Sequence, residues 1–182
     1  MSQFIPTLTD DDILAAVRSF LLAYVMPPGG EVVGDVDNLV APPGNPYVVM
    51  NHLTKPRLST NVSTYDYSVV GTYTVATQTI TQPTQYGLQL DCVDGTSGGD
   101  LAQVISTIWR DSFAEEFLNP LGVAPLYTDD PRHAPWVNGE NQWESRWIVN
   151  VYMQVNPSLL LPTSSYGHAN VGIVDVDGTI HS

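Results

Sequence analysis

A chain of 182 residues is long enough for one domain with a buried core, and its 43% hydrophobic share fits a soluble globular protein. The formal net charge is −13 with one lysine, the reverse of the clustered cations that hold nucleic acid or an anionic membrane surface. Only 14% of residues are charged. Ser, Thr, Asn and Gln must therefore supply much of the polar surface, as suits a protein packed against other subunits.

The N-terminus has no basic region followed by a cleavable apolar core, and the longest apolar stretch, near 20–26, is too short to span a membrane. An intracellular protein, or one made in a cell and built into something larger, is expected. The lone cysteine, Cys92, excludes an internal disulfide and reads as a small buried hydrophobe.

Thr9, followed by Asp10, Asp11 and Asp12, sets a hydroxyl N-cap and three carboxylates at the positive end of a helix. Ile13, Leu14, Val17, Phe20, Leu21 and Tyr24 then recur at helical spacing, and Pro27-Pro28-Gly29-Gly30 ends the run. A short extended piece is expected over 31–40, with Asp35 and Asp37 solvated. Residues 47–53 are apolar on both faces at first, as in a central strand, and His52 reads as structural. The stretch 65–81 is rich in Tyr, Val and Thr and predicts one bent strand or two short ones around Gly71.

Over Thr84–Val93 the alternation is clean: Tyr86, Leu88, Leu90 and Cys92 face one way, and Gln85, Gln89 and Asp91 the other. Ser97-Gly98-Gly99-Asp100 reads as a capping box for a second helix. Leu101, Val104, Ile105 and Ile108 form its buried stripe, Trp109, Phe113 and Phe117 a second ridge, and Asn119-Pro120 its end. A second clean strand is expected over 143–156. Its two faces are Trp143, Trp147, Val149, Val151, Met153 and Val155, against Glu144, Arg146, Asn150, Tyr152 and Gln154. A loose Pro/Ser/Thr/Gly linker then leads to a last strand at 171–177 and a frayed tail. The order predicts an α+β domain spanning 1–182, with a core of about 9–176: a mainly antiparallel sheet carrying two helices, with a long ordered loop before the longest strand.

That loop, within 124–147, joins Asp, Pro, Asn and Gly to three of the four tryptophans, Trp136, Trp143 and Trp147. Its length points to function and its aromatics to order. Arg and Trp are enriched at interface hot spots. Arg132, Trp136, Arg57 and Asn138 are the candidate interface residues. Arg146 and Arg110 are expected to pair with carboxylates, within one subunit or between two.

Asp129, Asp130, His133 and Glu140 share the loop, but their spacing matches no metal-ligand motif, and Asp-Asp-Pro-Arg reads more simply as a turn. No nucleophile elbow and no phosphate loop is present. Catalytic, cofactor and metal sites are accordingly expected to be absent.

The runs R-L-S-T-N (57–61), W-R-D-S-F (109–113), A-P-L-Y-T-D-D-P-R (124–132) and N-G-E-N-Q-W-E-S-R-W (138–147) resemble the neck or tail terminator proteins of contractile-tailed bacteriophages. The order of elements is similar over about 9–176. The resemblance implies a non-enzymatic virion protein, made in the host cytoplasm, whose six copies form a ring. Such a ring caps the tail, meeting its tube and possibly its sheath, and joins it to the head-side connector or stopper, while DNA passes through without specific binding. An acidic surface suits that passage, because like charge repels. Two other readings stay open: another tail-completion or baseplate protein, and a small metal-dependent enzyme using Asp129, Asp130, His133 and Glu140.

Overall fold

The computed structural model describes residues 5–34, 43–44, 46–70, 73–137, 141 and 143–164. Asp35, Asp37, Gly71, Asn138, Glu140 and the strand expected at 171–177 lie outside the described residues.

Thr9 caps the first helix, α1 (Asp10–Tyr24), through a reciprocal capping box. Its Oγ1 accepts from the Asp12 N–H at 3.2 Å, while the Asp12 carboxylate accepts from the Thr9 N–H at 2.9 Å. The Thr9 hydroxyl, which donates to the same carboxylate at 2.6 Å, and then the Thr9 N–H hold the Asp12 carboxyl below its ordinary value. Ile13, Ala16, Val17, Phe20 and Leu21 are buried. The chain turns at Gly29, whose φ of +87° suits glycine, and enters β1 (Glu31–Val33). This strand runs parallel to β2 (Tyr47–Thr54); the other strand pairings among the described residues are antiparallel.

Strands β3 (Val62–Val70) and β4 (Tyr73–Thr81) pair with each other, and β5 (Thr84–Val93) follows. They are two full strands of nine residues rather than two short ones. Next come α2 (Gly98–Trp109), α3 (Ser112–Leu118), a 3-10 turn at Asn119–Leu121, and β6 (Val123–Thr128). The remaining strands are β7 (Arg132–His133), β8 (Trp136–Val137), β9 (Trp143–Glu144), β10 (Arg146–Val155) and β11 (Ser158–Ser164).

The main sheet has the order β1-β2-β5-β10-β6, with β7 also on β10. One of its faces meets the helices. Val48 and Met50 of β2, Tyr86, Leu88, Leu90 and Cys92 of β5, and Val149, Val151, Met153 and Val155 of β10 join buried residues of all three helices in one cluster. The alternation expected for β5 and for the inner half of β10 holds. Phe20 is its aromatic hub, with Trp109, Phe113 and Phe117 ring centres within 6.4 Å.

Several local expectations are corrected. The second helix is two helices: at Arg110–Asp111 the chain breaks, and the Asp111 carboxylate caps α3 by accepting from the Phe113 N–H at 3.0 Å. Ser97 makes no side-chain cap, so the capping box there is absent. The buried stripe of α2 is Leu101, Ala102, Ile105 and Trp109, whereas Val104 is exposed and Ile108 only half-buried. The Trp147 indole lies on the first turn of α2. A Cβ at Gly99 would sit 3.0 Å from that ring, so glycine permits the approach.

The expected long loop begins as an edge strand, β6, which tolerates Pro125 because an edge needs fewer ladder donors. It continues as the small β8–β9 hairpin. Trp143 belongs to that hairpin and is 76% exposed, not part of the core face. The linker expected after Pro157 is strand β11, paired with β4.

Strands β11, β4 and β3 form a second sheet. Between the sheets stand Gln82-Pro83 and Asn156-Pro157, at the same height, since Thr84 pairs with Val155 and Thr81 with Ser158. Two prolines cannot donate to a ladder, so the ribbon divides there. A single bond across the divide, Gln82 N–H to Pro157 O at 3.1 Å, joins the halves at that point.

Candidate functional site

The outer face of the main sheet carries a polar network. Asp91 is 6% exposed and accepts from Gln89 Nε2 at 2.8 Å, Asn51 Nδ2 at 3.3 Å and Arg146 Nη1 at 3.4 Å. Burial pushes its carboxyl above the ordinary value, and Gln89, Arg146 and Asn51 pull it back. Arg146 also donates through Nε to Ala134 O at 3.2 Å and lies 6.0 Å from the Trp136 ring centre. One guanidinium thus ties β5 to the excursion between β7 and β9.

The carboxylates of that excursion are held apart. Asp129 accepts from Asn150 Nδ2 at 2.8 Å and the Tyr152 hydroxyl at 3.4 Å. Asp130 lies 3.5 Å from Arg110, which also donates to Thr128 O at 2.5 Å. The His133 ring sits 3.3 Å from Ser145 Oγ and 5.0 Å from the Trp147 ring. Among the described residues no three His, Cys, Asp or Glu side chains are grouped to hold a metal. Burial pushes the Cys92 thiol up to about 12, which leaves it protonated and a poor nucleophile. His52 is a partner of the buried Tyr86, with 2.6 Å between its Nδ1 and the hydroxyl.

The candidate interface residues fall at two places. Arg132 is exposed on β7, paired with Ile148, and Trp136 is half-buried, its Nε1 enclosed without a hydrogen-bond partner among the described residues. Arg57 is exposed and bridges Thr84, which itself pairs with Val155. Ile148 and Val155 are separated by most of β10, roughly 20 Å at about 3.3 Å per residue. Arg57 therefore stands at the root of the second sheet and Arg132 toward the opposite end of the main one. Asn138 lies outside the described residues. Arg110 and Arg146, expected to find carboxylates, find them within the chain.

Sequence reasoning missed the second sheet as a surface. Among its described side chains none joins either buried cluster, Ala76 being buried apart from them. The stretch Val62–Ser68 is exposed throughout, with Val62, Tyr65 and Tyr67 prominent, and Leu160 of β11 is 55% exposed. By register, Tyr65, Tyr67, Ile80, Leu159 and Leu161 share one face, and Val62, Thr64, Thr79 and Leu160 the other. One signal was available: strands of nine, nine and seven residues carry a single charged side chain, Asp66, in a chain of net charge −13.

A family model described as phage neck terminator protein matches residues 11–182. No curated protein matches the chain.

Proposed function

The chain belongs to the phage neck terminator family, a structural component of the phage particle, and on that premise we propose that its copies close into a hexameric ring at the neck of the virion. The ring caps the completed tail, contacts tube and sheath, and joins the tail to the head-side connector or stopper. DNA passes through its hole. No catalytic, cofactor or metal role is part of this reading.

The observation that carries it is the second sheet. The three-stranded sheet outside the core leaves Val62, Tyr65, Tyr67 and Leu160 exposed, although Ala76 is buried and Ile80, Leu159 and Leu161 are half-buried. Exposed apolar surfaces of this kind mark contacts with other chains. Passage of DNA is supported by the use made of the cations. Lys55, Arg110 and Arg146 each face a carboxylate of the chain itself, so the acidic body lacks the cation cluster that would grip phosphate. The separation of Arg57 from Arg132 and Trp136 fits a subunit held at two ends by different neighbours. Trp143 is added to that set on its exposure, and Asn138 stays in it on sequence grounds. Native mass spectrometry of the purified chain, alone and mixed with tail tubes, tests the reading. A closed oligomer in either sample supports it, and a monomer in both overturns it.

A further inference from the structure

We infer that the free edge of β3 is the contact between neighbouring copies, taking a strand of the next copy into the second sheet; this rests on the ring reading above. Among the described residues, the sheet order β11-β4-β3 leaves β3 with one ladder made and one edge open. Natural edges are guarded by proline, lysine, brevity or a covering element. Among the described strands the other edge strands are short or contain proline: β1 has three residues, β7, β8 and β9 have two each, β6 contains Pro125 and β11 contains Pro162. The part of β2 beyond β1 is the five residues 50–54. The nine residues of β3 include no proline and no lysine.

Size separates strand addition from stacking on one face. Three strands about 4.8 Å apart and nine residues long present roughly 400 Å² of plane per face. A standard interface buries roughly 800 Å² per partner. One face is too small, whereas an added strand brings neighbours over both faces, and both faces of β3 are exposed: Val62 on one, Tyr65 and Tyr67 on the other. Charge selects a second copy as the occupant. Two chains of net charge −13 repel over most of their surfaces, and this sheet, with Asp66 as its one charged residue, is where they meet at least cost.

The test is Tyr67→Asp in the full chain, compared with wild type by native mass and light scattering. The side chain is 63% exposed, so the fold should survive, with far-ultraviolet circular dichroism as the check. The expected result is loss of assembly at concentrations where wild type assembles. A variant that assembles like wild type overturns the edge contact and leaves the ring reading standing; a wild type monomeric alone and on tubes overturns the ring reading itself. Should the variant misfold, hydrogen exchange on the unmutated protein decides. Amides of Val62–Val70 should slow by about tenfold or more between dilute monomer and assembled protein, and an unchanged rate overturns the proposal.

Discussion

Leu90→Ala probes whether the two faces of β5 are assigned correctly. Leu90 is fully buried on the helix-covered face, opposite Met50 of β2 and Val149 of β10. Losing about three methylene-sized groups costs roughly 2.4 kcal/mol in transfer free energy. A residual void of roughly 60 Å³ adds about 1.4 kcal/mol at about 24 cal/mol per Å³. The sum, about 4 kcal/mol, corresponds to a drop in Tm of about 8–16 °C for a chain of this size. Gln89→Ala changes the next residue on the opposite face. Sequence alone predicts no effect there, but the 2.8 Å bond from Gln89 to the buried Asp91 sets its cost at about 1 kcal/mol, or about 2–4 °C. Thermal unfolding by circular dichroism reads both. Equal shifts, or a larger one for Gln89→Ala, would refute the assignment of faces.

The tryptophans should separate. Trp143→Ala should leave Tm nearly unchanged and impair assembly, whereas Trp136→Ala should also lower stability by about 1 kcal/mol through loss of its contact with Arg146; near-identical stability of the two variants contradicts this. The pH dependence of Asp91 has a definite sign. Its folded pKa is raised, so the folded state holds the proton more tightly, and stability from this group falls as pH rises through the window above the ordinary Asp value and is flat beyond it. In denaturant titrations between about pH 7 and about pH 4, wild type should therefore gain stability relative to Asp91→Asn on acidification, and a relative loss refutes the burial argument. Elemental analysis should find no stoichiometric metal in wild type or in Asp130→Asn with His133→Ala; stoichiometric metal in wild type would restore the enzyme reading.

Where local chemistry decides structure, the sequence was readable. The Thr9 N-cap and the alternation of Leu88, Leu90, Val149 and Val151 are short-range patterns with one physical solution. Asp111 was a legible N-cap, but it was hidden by aromatics at intervals of four that continue across the break. Strand β11 was obscured by Pro162 and three adjacent leucines, which show no alternation, and β6 by Pro125; both gain their strand character from a partner distant in sequence. The exposure of Trp143 follows from the chain leaving the main sheet at Ser145, which no periodicity encodes. The second sheet was harder still. Tyr65 and Tyr67 alternate like core residues, and only the absence of a layer above them among the described residues reveals a surface.

The central claim is a structural ring at the neck, and imaging of tails tests it most directly. Tail tubes incubated with the purified chain should carry a closed ring of density at one end, with a central opening wide enough for duplex DNA, and tubes alone should not. Tubes that bind the chain along their length, at neither end, or only as scattered monomers would contradict the account.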